Sequence, residues 1–429
     1  MRIHFIGCLG VSMRELMQLQ RDRLNTVTGS DINLCGHKAE NVHGADLVVY
    51  TNAVGENNVE LVEARRLKIP AIERAQMLGQ LAATYGSVTA VAGAHGKTTA
   101  TGMCAAAMQS LSPTVHIGGD LNPIKRVCPP SNVGKSFFVT EACEYRRSFL
   151  ELKPTVGAVL NVDLDHTDYY RDFADILSAY DAFASRCKML LVNSDDRASM
   201  YLDGKDKYMF GLNSLAYFRG RNLSCEKGNC YSFDFYIDGA KACRARLFQP
   251  GFHNVYNALC ALSAATLNGI APAVAARSLE SFAGVKRRFE RVGSLCGATV
   301  ITDYAHHPKE IRATLLNARK CGRGRLYAVF QPHTYTRTQS LQSGFAKSLS
   351  EADTALILPI YPAREQPVKG VSAHGIALAM QQSGRHAVYT DTFFGVKDYL
   401  LHNLDPCDTV VFLGAGDVDL LARSCVDGV

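Results

Sequence analysis

The run Gly93-Ala94-His95-Gly96-Lys97-Thr98-Thr99 constrains this chain more than any other, because it joins a strand-like VTAVAG segment directly to a helical pattern from Ala100 to Gln109. A glycine-rich turn between strand and helix offers backbone N–H groups and the positive end of the helix dipole to an anion. In that context the segment is a phosphate cradle, and the architecture that supplies it is α/β. Only two residues, where the common phosphate loop has four, separate the first glycine from Gly96-Lys97, which points to a subclass. Gly93, His95, Gly96 and Thr99 belong to the cradle. Lys97 is expected to offset charge on the β and γ phosphates, and the Thr98 hydroxyl to hold Mg2+. ATP is the expected ligand.

Elsewhere, short β-rich apolar runs alternate with helical patterns from end to end, the signature of parallel sheets with crossover helices. A chain of 429 residues corresponds to about three domains at about 150 residues each. Strands are expected over Arg2–Gly7, Thr26–Asp31 and Asp46–Asn52, forming a Rossmann-like N-terminal domain over residues 1–86. A central phosphate-loop, ATP-binding domain with a parallel sheet is expected over 87–286, with FFVTEA, TVGAVLNV and KMLLVN as strands and an Asp238-Gly239 hairpin turn. The strands TVITDY, RLYAVF, TALILPI, HAVYTD and TVVFLG define a second Rossmann-like domain over 287–429.

Composition closes several other routes. Apolar residues make up 47% of the chain, ordinary for a globular protein. The formal net charge of +6 carries no dense basic run, which gives nucleic-acid binding little support. No apolar run approaches the roughly 18 residues of a membrane span, and the opening MRIHFIG lacks the apolar core of a signal peptide, so a cytoplasmic protein is expected. The 14 cysteines are scattered without a C-x-x-C pair, and free thiols are the default.

Polar residues cluster where the strands end, on the carboxyl edges at which α/β sheets bind ligands. Glu141 closes FFVTEA and is placed to bind magnesium, while Asn161, Asp163, Asp165 and His166 follow TVGAVLNV. Gly7-Cys8-Leu9-Gly10-Val11-Ser12 is a degraded G-x-G-x-x-G loop, and Asp31, about twenty residues beyond Gly10, is either a ribose-binding acid or a turn residue. In the last segment, Asp303-Tyr304-Ala305-His306-His307-Pro308 and Gln331-Pro332-His333-Thr334-Tyr335-Thr336-Arg337 both follow strands. Arg337 beside His333 is suited to gripping a carboxylate.

The segments AGAHGKTT, EACEYRRSFLELKPTVGAVLNVDLDHTDYY, GFHNVYNALCA, KRRFERVG, DYAHHPKE, FQPHTYTRT and YPAREQPVKGVS together resemble the Mur ligases of peptidoglycan synthesis, in content and in order. His95 within the loop favours the branch that adds alanine. The resemblance implies ATP-dependent joining of L-alanine to the lactyl carboxylate of UDP-N-acetylmuramate through an acyl phosphate, with Mg2+ as cofactor. It implies that Gly7, Gly10 and Asp31 serve the UDP-sugar, that Thr98, Glu141 and His166 are metal ligands, and that His253, Asn254 and Asn257 lie on the adenine side. Arg288 and Asp303 would contact ATP; His333, Arg337 and Tyr304 would bind the amino acid; and Lys97, His166 and Arg288 would be the catalytic groups. A monomer or homodimer whose domains close over the site is expected.

The chain departs from the family pattern at Leu9 and Ser12 in the first loop, at Ala94 where threonine is usual, and at Thr334 where arginine is common. Three other readings remain open at this point. They are a sibling ligase that adds a peptide or another amino acid, a nucleotide-binding regulatory protein derived from a ligase, and a dinucleotide-dependent dehydrogenase resting on the Gly7 loop alone.

Overall fold

The computed structural model describes residues 1–119, 136–166, 169–226, 228–363 and 365–426. Residues 167 and 168 of the DLDHTDYY stretch and residue 364 of YPAREQPVKGVS lie outside the described residues. The chain forms two compact units: residues 1–224 with 231–283, and residues 225–230 with 284–429.

The first unit contains two sheets. One is a four-stranded parallel sheet in the order Thr26–Ser30, Arg2–Ile6, Leu47–Tyr50, Ala71–Glu73. The other has nine strands. At its centre Ser87–Ala92 lies between Phe137–Glu141 and Val156–Val159, all parallel, so three strand ends open side by side on one edge. Met189–Asn193 and Asp206–Gly211 extend the parallel run. The far edge is the antiparallel ribbon Cys230–Ile237 and Ala240–Arg246. Its turn, Asp238-Gly239, has φ of +47° and +79°, which an Asp-Gly pair tolerates.

Central strands buried on both faces read as continuous apolar runs rather than alternating ones. Val88 to Ala92 are all buried, and the helices Lys97–Ala107 and His253–Leu267 pack together on this sheet. Small side chains allow that close approach: Ala105, Ala106 and Ala107 face the core from one helix, and Ala258, Ala261 and Ala264 from the other. Phe149 stacks on Phe183 with centroids 4.9 Å apart and meets Tyr180 edge-on, which fixes the segment that follows Glu141 against the helix Phe173–Ala184.

The second unit is built on one six-stranded sheet. Glu290–Leu295 runs antiparallel to Ala298–Asp303, and Thr409–Leu413, Leu326–Phe330, Thr354–Ile357 and Ala387–Tyr389 complete it in parallel. Alternate strand residues feed two cores: Ile301, Ala328, Phe330, Val411 and Leu413 on one face, and Val300, Tyr327, Val329, Val410 and Phe412 on the other. The helices Pro308–Cys321 and Tyr335–Leu349 cover the first of these. Among the described residues no helix is long and apolar enough to cross a membrane.

Candidate active site

In the first unit the strand Ser87–Ala92 delivers the chain into the Gly93–Thr99 turn, and Lys97 opens the helix. Gly93 and Gly96 adopt φ of +147° and +83°, and a Cβ on Gly96 would come 2.9 Å from Asn257 Oδ1, so glycine is required there on both counts. Asn161 clamps the turn from the neighbouring strand end. Its Oδ1 accepts from His95 N at 2.9 Å, its Nδ2 donates to His95 O at 3.1 Å, and its carbonyl accepts from Ala94 N at 3.2 Å. The His95 ring lies 3.5 Å from Asp163 Oδ2. Thr98 is buried in the first helical turn, and Thr99 is half-buried beside it.

Lys97 Nζ donates to the carbonyls of Gly93 and Ala94 and to Glu144 Oε1, the last at 2.9 Å. Burial opposes charge on this ammonium, but the Glu144 carboxylate outweighs that cost and holds its pKa above the ordinary value. Glu144 is wholly buried; among the described residues its Oε2 has no hydrogen-bond partner, and its carbonyl accepts from the Tyr170 hydroxyl. A buried carboxylate oxygen without a donor calls for a cation or water at that point.

His166 Nε2 lies 3.7 Å from the same Glu144 Oε1. Its backbone is left-handed, with φ of +54°, and is pinned by its own N–H to Asp165 Oδ1 at 2.7 Å. Such strain in a non-glycine residue is kept where the surroundings over-determine it, here by the Tyr145 ring 4.8 Å away. Glu144, Asp165 and His166 each offer a ligand atom within 4.8 Å of the others. Two carboxylates, one with an orphaned oxygen, and an imidazole suit a divalent cation.

Glu141, expected as a metal ligand, ends its strand on the same sheet edge, where its Oε1 accepts from Gly118 N at 3.1 Å. Sequence reading missed Glu144 altogether. The only local signal was a second acid three residues after Glu141. Its meeting with Lys97 follows from the pairing of Phe137–Glu141 with Ser87–Ala92, and beyond it the left-handed Arg146 and Arg147, at φ of +51° and +56°, turn the chain so that Arg147 N donates to Glu144 O at 2.8 Å. Asn254 and Asn257 sit on the buried side of the helix His253–Leu267, Asn257 donating to Asn254 Oδ1 at 2.9 Å, and Asn257 lies against the Gly93–Thr99 turn beside Gly96. His253 lies exposed in the first turn of that helix.

At the amino end Gly7 has φ of +84°, and a Cβ there would meet Thr51 at 2.8 Å. The N–H groups of Gly7 and Cys8 both donate to Ser30 O, and Leu9 N donates to Asp31 Oδ2 at 3.2 Å. Asp31 Oδ1 accepts from Asn33 N, so the acid closes a turn as well as bracing the glycine loop. Gly10 caps the helix Val11–Asp22. Ser12, in place of a glycine, is held by His116 Nε2 and Arg74 Nη1, each at 3.0 Å.

The second unit gathers its own set. Asp303, at the end of its strand, accepts from Phe289 N and Ala305 N, both at 2.8 Å, and burial raises its pKa to about 6 despite the nearby Arg288. The guanidinium groups of Arg287 and Arg288 lie 4.9 and 5.0 Å from the Tyr304 ring centroid. His333 stacks on Tyr361 at 5.7 Å and lies 3.5 Å from Arg337 Nη1; burial, then the Arg337 charge, depress its pKa to about 4. Thr334 holds φ of +67°, fixed by its N–H to Tyr361 O at 2.9 Å. His333 and Arg337 therefore form a pair, a neutral imidazole beside a permanent cation, and Tyr304 reaches His333 through the His306 ring, with centroids 5.4 and 6.2 Å apart.

Three family models match the chain: "Mur ligase family, catalytic domain" over residues 2–85, "Mur ligase middle domain" over 91–265, and "Mur ligase, glutamate ligase domain" over 287–416. The UDP-N-acetylmuramate–L-alanine ligase of Caldanaerobacter subterraneus subsp. tengcongensis is 38% identical, with 97% of this chain and 95% of the relative covered. That of Alkaliphilus metalliredigens is also 38% identical, over 98% and 96%. Among solved structures, UDP-N-acetylmuramate-alanine ligase MurC from Thermotoga maritima superposes with a TM-score of 0.84 at 26% identity, covering 99% of this chain and 98% of that one.

Proposed function

The chain belongs to the Mur ligase family, and on that premise we propose that it joins L-alanine to the lactyl carboxylate of UDP-N-acetylmuramate with cleavage of ATP to ADP and phosphate, a step of peptidoglycan precursor synthesis in the cytoplasm. The observation that carries this reading is the Gly93–Thr99 turn, in which a half-buried lysine, a buried threonine and a helix N-terminus come together, an arrangement suited to an anion.

The difficulty of the reaction is electrostatic, since an anionic carboxylate must approach a polyanionic phosphate. Loop N–H groups hold the β and γ phosphates, and Lys97 leaves Glu144 to follow the charge that shifts toward ADP. Mg2+, held by Thr98 with Glu141, His166 and the Glu144–Asp165 pair, would screen the two anions from each other. His253, Asn254 and Asn257 face the adenine side, and Gly7, Gly10 and Asp31 seat the UDP-sugar. In the second unit Arg288 and Asp303 contact ATP, while Arg337, with Tyr304 and the neutral His333, grips the carboxylate of L-alanine.

The lactyl carboxylate attacks the γ-phosphorus and ADP departs, leaving an acyl phosphate. The alanine amine, its ammonium proton lost, then attacks the acyl carbon, and phosphate leaves as the amide forms. Phosphate release by the purified protein tests this, with ATP, Mg2+ and UDP-N-acetylmuramate against L-alanine, glycine, L-serine, a tripeptide and no amine. Release that needs the sugar and L-alanine together supports the reading. Preference for the tripeptide points to a sibling ligase, and ATP binding without turnover to a regulatory protein.

A further inference from the structure

Glu60 is wholly buried in the four-stranded half of the first unit, at the second position of the helix Val59–Arg66. Burying a carboxylate is costly unless it is paired and hydrogen-bonded on all sides, and this one is. Its Oε2 accepts from Ser30 Oγ at 2.6 Å and lies 3.1 Å from His37 Nδ1. Its Oε1 accepts from Asn41 Nδ2 and, at 3.4 Å, from Lys38 N, with His4 Nε2 at 3.8 Å. Burial pushes the pKa of Glu60 up, but the nearby His4 imidazole and hydrogen bonds from Ser30, Asn41 and His37 overcome it and lower the value to about 2.

These donors come from separate stretches of chain that converge at one residue of consequence. Ser30 ends the strand Thr26–Ser30, and its carbonyl accepts from both Gly7 N and Cys8 N. The next residue, Asp31, accepts from Leu9 N. Ser30 is thus held by the glycine loop through its main chain and by Glu60 through its side chain. Without Glu60, Ser30 keeps its main-chain register with Ile6 and its bonds from the glycine loop but loses the side-chain brace that sets the strand end from which Asp31 projects.

We propose that Glu60 is a positioning residue for the UDP-sugar site, setting Ser30, and through it Asp31 and the Gly7–Gly10 loop, in the geometry that binds the nucleotide-sugar. It makes no contact with substrate itself. The inference rests on the assignment of that loop to the UDP-sugar under Proposed function.

The test compares wild type with E60Q in steady-state kinetics and in titration with UDP-N-acetylmuramate and, separately, with ATP. Loss of an orienting carboxylate is expected to raise KM for UDP-N-acetylmuramate by about tenfold, while kcat and KM for ATP and L-alanine stay within about twofold. Asn41→Ala, which removes one donor and keeps the carboxylate, is expected to move the same KM by a smaller factor, and it carries the test if E60Q fails to fold. A lower melting temperature with KM for the sugar unchanged overturns the proposal and leaves Glu60 a purely structural group. Failure of the wild type to bind UDP-N-acetylmuramate while it binds ATP overturns the parent assignment, and this inference with it.

Discussion

Lys97 Nζ and Glu144 Oε1 stand 2.9 Å apart, so the cation expected to meet a nucleotide is held by a fully buried carboxylate. The pair stores the lysine charged and aimed, and a bound phosphate would compete with Glu144 for it. Two side chains 47 residues apart are in this way parts of one device.

Removing Lys97 should therefore act twice. Lys97→Met is expected to lower kcat by about 10³-fold, as for loss of a single transition-state donor. It also strands a buried charge, which costs about 3 kcal/mol. Glu144→Gln keeps the shape and lifts the constraint on Lys97, so its melting temperature should fall less than that of Lys97→Met. Phosphate-release kinetics beside thermal melts of both variants check the pair.

Gly96→Ala places a Cβ against Asn257 Oδ1 and forces a side chain into a left-handed conformation. A strain of about 1–2 kcal/mol is expected, with weaker ATP binding because the loop must open to relieve it. ATP titration and a thermal melt measure both effects, and UDP-N-acetylmuramate binding should be unaffected.

In the second unit the buried Asp303 and the half-buried His333 titrate in opposite senses. Asp303 has its pKa raised from 3.8 to about 6, so its contribution to stability is full below pH 3.8 and is lost as pH rises through 6. His333 is depressed from 6.5 to about 4, so its contribution is full above pH 6.5 and is lost as pH falls through 4. A shift of about two units corresponds to about 3 kcal/mol in each case. Relative to wild type, Asp303→Asn should accordingly make stability rise more steeply from pH 4 to 6.5, and His333→Asn should make it rise less or fall over the same range, in which the depressed His306 titrates in the same sense as His333. Denaturant titrations at three pH values distinguish these slopes.

Arg337→Lys retains the charge but loses the planar fork that grips a carboxylate with two parallel N–H bonds. KM for L-alanine is expected to rise by about tenfold or more with KM for ATP unchanged. Equal KM values for L-alanine in the two proteins would remove Arg337 from the amino-acid site.

Local patterns made much of this legible. The strand–turn–helix at Gly93–Thr99 could be read because its parts are contiguous, and the sheet-edge positions of Glu141, His166, Asp303 and His333 followed from apolar runs that end in polar residues. The partnership of Glu144 with Lys97 could not be read, because it needs the adjacency of two strands whose order is set by packing. Asp31 illustrates the same limit from another side. Its position at a strand end suited either a ribose contact or a turn, and the fold shows both carboxylate oxygens already accepting from the backbone, from Leu9 N and Asn33 N.

The central claim is that the lactyl carboxylate is activated by phosphoryl transfer at the Gly93–Thr99 loop. UDP-N-acetylmuramate labelled with 18O in that carboxylate tests it most directly, in the presence of ATP, Mg2+ and L-alanine. Transfer of one labelled oxygen into each phosphate released, abolished in Lys97→Met, is the predicted result; L-alanine-dependent phosphate that contains no label would contradict the account.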